Sequence, residues 1–133
     1  MTIDTKLFLT FVIILFLLYM IWIKGAYDLH SRQIMLVQKS KLQFSLLPAV
    51  LFYILAGLMY ILLVRKIANG DITQNAIYGA ILGAGMYFTF DLTNKAIFKD
   101  YSWSYAIKDG LWGTFAIAAA SAITAYLLQT KNV

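Results

Sequence analysis

Four long apolar runs, separated by short connections that carry most of the Lys and Arg residues, constrain this chain more than any other feature of its sequence. The first runs from Leu7 to Ile23 between Lys6 and Lys24, with Thr10 as its one aliphatic hydroxyl. As a helix it is roughly 26 Å long at ~1.5 Å per residue, enough for a ~30 Å hydrocarbon layer once the flanking lysines reach toward the headgroups. A cleavable signal peptide is the competing reading. The run exceeds the ~7 to 15 residues of a signal h-region, and Ile23-Lys24-Gly25-Ala26 is a poor small-x-small cleavage site, so an uncleaved span is favoured.

The second span, residues 46–64, ends at Arg65-Lys66 and begins with Ser45 as N-cap and Pro48 in the first turn, where a missing N–H has no helical partner to lose. Asn69-Gly70-Asp71 then supplies a turn. The third span covers about residues 74–94, starting near Ile72 or Ala76. It contains Gly79-x-x-x-Gly83, with one face almost bare of side chains. The fourth covers about residues 107–128 and is rich in small residues, among them Gly113, Ala118 and Ala122. In lipid, packing rather than hydrophobicity drives helix association, so Gly79, Gly83, Gly113, Ala118 and Ala122 are the expected packing positions, with spans three and four as the close pair.

Composition agrees with this reading. Hydrophobic residues make up 62% and charged residues 13%, with mean hydropathy +0.76; a soluble domain is about half apolar and about a quarter charged. The fold expected is an all-α membrane protein, with four transmembrane helices in an antiparallel bundle and residues 1–133 forming one integral membrane domain. Residues Gly25 to Ser45 are too polar to span. They read either as an interfacial helix resting on Leu29, Ile34 and Val37, or as a solvated loop holding His30.

Four spans put both termini on one side. The first and third connections hold Lys24, Arg32, Lys39, Lys41, Lys95, Lys99 and Lys108, against Lys6, Arg65, Lys66 and Lys131 on the other side. That bias favours an inner location for connections one and three. The net charge of +5 is distributed as in a protein facing headgroups rather than nucleic acid.

The chain has no cysteine and one histidine, which excludes disulfides, thiol catalysis and a histidine-built metal centre. No catalytic residues, metal or cofactor are expected, and the chain reads as a non-enzyme. Chemistry, if any, belongs to a polar cluster at one end of the third and fourth spans: Asp91 with Tyr87, Thr93 and Asn94, facing Asp109 with Trp112. An intramembrane carboxylate is a functional hypothesis by default. The structural alternative pairs Asp91 with Lys95 at i,i+4, places Asp109 in the first turn where it complements the helix dipole, and uses Thr93 and Asn94 as helix glue. Tyr19, Trp22, Tyr27, Tyr101, Trp103 and Tyr105 lie near span ends, where an aromatic belt is the usual explanation.

The stretch Tyr87-Phe88-Thr89-Phe90-Asp91-Leu92-Thr93-Asn94-Lys95-Ala96, followed by Asp109-Gly110-Leu111-Trp112-Gly113-Thr114, resembles the hallmark of a family of small predicted membrane proteins catalogued as a domain of unknown function, number 2177. Its members typically read Y-x-T-Y-D-L-T-N-x-A and then D-x-x-W-G-T. The resemblance implies a four-helix membrane domain with Asp91, Thr93, Asn94, Asp109 and Trp112 at signature positions, and it brings no known reaction. Two positions depart from the pattern: Tyr19 stands where members carry an acid three residues before Trp22, and Phe90 replaces a tyrosine.

The function expected first is a non-catalytic accessory or scaffold component of a larger membrane assembly. The alternative is a small proton-coupled transporter or permease using Asp91 and Asp109. The expected partners are the lipid bilayer, other membrane proteins or further copies of the chain, and no nucleic acid.

Overall fold

The computed structural model describes residues 3–129, and every regular element among them is a helix. In chain order these are α1 (Thr5–Gly25), α2 (Tyr27–Gln38), α3 (Leu46–Ala68), α4 (Ile72–Ile97) and α5 (Trp103–Leu127). Three of them, α1, α3 and α5, are long and apolar enough to cross a membrane. Lys131, counted in the charge comparison, lies outside the described residues.

Local chemistry sets the helix starts. The Asp4 carboxylate accepts the backbone N–H groups of Lys6 and Leu7 at 3.0 and 3.1 Å, Asp71 accepts that of Gln74 at 2.7 Å, and Ser102 accepts that of Tyr105 at 3.3 Å. Each satisfies donors that a first turn leaves open. Ser45 does occupy the N-cap of α3, but its hydroxyl makes no capping bond, so the expected cap is positional only. Lys39 takes the left-handed helical conformation, φ 58° and ψ 23°, to end α2, and Asn69 ends α3 at positive φ, 52°, with ψ −131°.

The region between the first two spans is a helix, α2, rather than a loop. It is strapped across the α4–α5 connection. Gln33, 4% exposed, accepts the Ser102 N–H through Oε1 at 3.2 Å, and Lys39 pairs with Asp100 at 3.1 Å.

The closest packing in the molecule joins α4 to α5. A Cβ on Gly79 would lie 2.7 Å from Ser121 Oγ, one on Gly83 would strike the Gly113 carbonyl, and one on Gly113 would overlap the Tyr87 ring. Gly79, Gly83 and Gly113 thus sit where the small-residue pattern predicts. Ala118 and Ala122 are only half-buried, because the face of α5 that touches α4 runs through Gly110, Gly113, Ile117 and Ser121, one step round the helix.

Phe11, Leu15, Ala56, Tyr60, Ile117 and Ala120 form the core between α1, α3 and α5. Phe11 and Tyr60 stack with ring centroids 4.4 Å apart. Tyr60 opens a π-helical turn, Tyr60–Arg65, inside α3 and donates to Asn75 Oδ1 at 3.4 Å. Outward, α1 exposes Leu9, Ile13, Phe16, Leu17 and Ile21, and α3 exposes Leu46, Leu47, Leu51 and Leu55. So large an apolar exterior is foreign to a water-facing monomer and natural to a lipid-facing one.

Candidate carboxyl site

Asp91 lies six residues before the end of α4 and Asp109 six residues after the start of α5. At ~1.5 Å per residue each is roughly 9 Å inside its helix end, so the antiparallel pair brings them to the same depth. Asp91 is fully buried and Asp109 is 7% exposed. Their carboxyls are near neighbours, and the Trp22 indole faces Asp109 without a hydrogen bond of ordinary geometry.

Neither of the two local contacts expected for these acids forms. Lys95 does not pair with Asp91: its ammonium donates to the Lys99 carbonyl at 3.5 Å and lies 5.8 Å from the centre of the Trp103 ring. Asp109, as the seventh residue of α5, is past the first turn and makes no dipole contact there. Among the described residues the one ion pair is Lys39–Asp100, so no Lys or Arg neutralises either carboxyl.

What Asp91 receives is the Tyr101 hydroxyl, which donates to Oδ1 at 2.6 Å, while Oδ2 is buried with no partner. Tyr101 lies in the α4–α5 connection; its own burial, then its bond to Asp91, push its hydroxyl pKa up. Asn94 is half-buried beside that hydroxyl, whereas Thr93 is exposed and stands apart from the cluster. Tyr87 lies over Gly113 near both acids, and its buried hydroxyl has no partner. Trp112 is half-buried and stacks on Trp22, 5.1 Å between centroids and 8° between planes.

His30 is not a solvated loop residue. Its Nδ1 meets the Tyr105 hydroxyl at 3.0 Å and its ring stands edge-on to Trp22, while burial lowers its pKa below the ordinary 6.5. Tyr19, Trp22, Tyr101 and Tyr105 likewise turn inward, leaving Tyr27 and Trp103 as the strongly exposed members of the expected aromatic belt. Tyr19 stacks on Tyr87, with ring centroids 6.1 Å apart.

An apolar chamber of about 700 Å³ opens beside the cluster, with contributions from every helix. Eight of its fourteen lining residues are Phe, Tyr or Trp, Asp109 is the single carboxyl, and no Lys or Arg lines it. An unpaired buried charge costs several kcal/mol, so a carboxyl in this setting is suited to carrying a proton or meeting a cation brought from outside.

A family model described as predicted membrane protein (DUF2177) matches residues 5–127. No curated protein and no solved structure matches the chain.

Proposed function

The chain belongs to this family of predicted membrane proteins, and from that premise we propose that it is a four-span carrier in which Asp91 and Asp109 exchange protons against the passage of a solute. The observation that carries the reading is the pair of neighbouring buried carboxyls without a cation, one of which lines an open apolar chamber. In this reading α4 crosses the membrane as well, which brings the three long apolar helices to four spans. Its 26 residues are long enough, and Asn75 and Asp91 are buried, while Thr89 and Thr93 are the exposed polar side chains of its second half before Asn94. The basic first and third connections then face the inner side.

An accessory component would dock other membrane proteins through small-residue faces. Gly79, Gly83 and Gly113 are occupied within the chain by the α4–α5 contact, so that argument no longer points outward.

The test uses vesicles containing the purified chain, loaded with a pH-sensitive dye and held under an imposed pH gradient. Organic cations, amines, organic acids and neutral solutes are added in turn. At least one class collapses the gradient with the native chain and fails with Asp91→Asn and Asp109→Asn. A native chain inert to every class, or Asn variants as active as the native chain, overturns the reading.

A further inference from the structure

We propose that the chamber binds a membrane-dissolved organic cation, its positive centre at Asp109 and its apolar body among the aromatic rings; this names the substrate class of the carrier reading and rests on it.

Three observations converge. Asp109 is more than nine-tenths buried, accepts no hydrogen bond of ordinary geometry from the described residues, and supplies the chamber's one carboxyl. Around it the lining is aromatic, with Trp22, Tyr19, Tyr87 and Tyr105 on its walls. Ring faces attract a cation, most strongly where water is excluded, and a carboxylate supplies the counter-charge that rings alone lack. An anionic ligand would meet Asp109 with no Lys or Arg to offset the repulsion, and a neutral ligand would give the ionised carboxyl no counter-charge.

The chamber also has a lipid-side neighbour. A second apolar hollow of about 570 Å³ between α1 and α3 shares Tyr19, Ile23, Phe44 and Phe52 with the chamber. It is lined by residues of the lipid-facing exterior such as Ile13, Phe16 and Ile54. A molecule passing between the two hollows at this shared wall would reach Asp109 from the lipid tails without crossing water, which would select for an apolar body around the charge.

A cation and a proton compete for the same carboxyl, so binding releases a proton wherever Asp109 holds one. The titratable groups facing it are Asp91 and Tyr87 from α4, Tyr105 from its own helix, His30 from α2 and Tyr19 from α1, with Tyr101 acting through Asp91. Asp109 is the chamber-lining member of the acid pair.

The experiment is equilibrium dialysis of the purified chain in mild detergent with tetraphenylphosphonium and, separately, tetraphenylborate, two ions of one shape and opposite charge, each corrected for empty micelles. The phosphonium is expected to bind and the borate to show no binding above the micelle correction. Phosphonium affinity is expected to rise with pH in the native chain, a readout that needs no variant, and to fall about tenfold or more in Asp109→Asn. Equal binding of both ions, absence of phosphonium binding, or equal affinity in Asp109→Asn overturns the proposal. If another solute class drives proton movement in vesicles while the phosphonium does not bind, the substrate assignment fails and the carrier reading stands; if the phosphonium binds through Asp109 while vesicles are inert, the carrier reading fails and the site stands.

Discussion

Tyr101 donates its hydroxyl to Asp91 Oδ1 across 2.6 Å, joining the connection between α4 and α5 to a fully buried carboxyl ten residues earlier. No other side chain among the described residues donates to that carboxyl with ordinary geometry. The turn is therefore fixed at its inner end by the same acid that forms the candidate site.

Removing that donor strands Asp91. Tyr101→Phe is expected to destabilise the chain by about 1–3 kcal/mol, the usual cost of leaving a buried polar group unpaired. Thermal unfolding in detergent measures it. In the Asp91→Leu background, which removes the acceptor, the same substitution is expected to cost less, and equal cost in both backgrounds counts against the bond as the source.

The α4–α5 seam tolerates no added carbon at its glycines. Gly113→Ala drives a methyl into the Tyr87 ring and Gly83→Ala drives one into the Gly113 carbonyl, so each is expected to cost about 1–3 kcal/mol through overpacking. Gly85, with nothing within 4 Å of a built Cβ, is the control. Gly85→Ala is expected to be neutral or stabilising by up to ~1 kcal/mol, from helix propensity alone.

His30 makes stability depend on pH. Burial lowers its pKa from 6.5, so on acidification the unfolded chain takes up the imidazole proton before the folded chain does. Stability from this residue is therefore complete above the ordinary value, falls as pH drops through it, and levels once the folded ring is protonated too. Unfolding midpoints followed from about pH 7.5 to about 5.5 are expected to fall less in His30→Gln than in the native chain. Identical slopes exclude His30 as the source.

Two contacts strap α2 over the connection, and they are unequal. Lys39–Asp100 is an exposed pair, so Lys39→Ala is expected to change stability by less than about 1 kcal/mol. Gln33 is buried and holds the Ser102 N–H at the start of α5; Gln33→Ala is expected to cost about 1–3 kcal/mol and to raise hydrogen exchange at Ser102. If the surface pair proves the costlier of the two, the assignment of the strap to Gln33 is wrong.

The sequence by itself determined the solvent, the helical class and the close pairing of α4 with α5. Apolar length and helical spacing are local properties, and Gly79, Gly83 and Gly113 lie on their helices whatever the partner does. It also brought Asp91 and Asp109 to one end, since antiparallel neighbours joined by a short connection must do so. Tertiary structure alone decided what those acids touch. Lys95 at i,i+4 is a local option for Asp91 that loses to Tyr101, because the connection folds its ring inward and the lysine lies over Trp103. His30, Trp22 and Tyr105 meet from three different helices, and no spacing along one chain segment encodes such a meeting. The register of α5 against α4, and with it the half-burial of Ala118 and Ala122, follows from which small residues the Tyr87 and Phe88 rings need beneath them, and that fit exists only once both helices are in place.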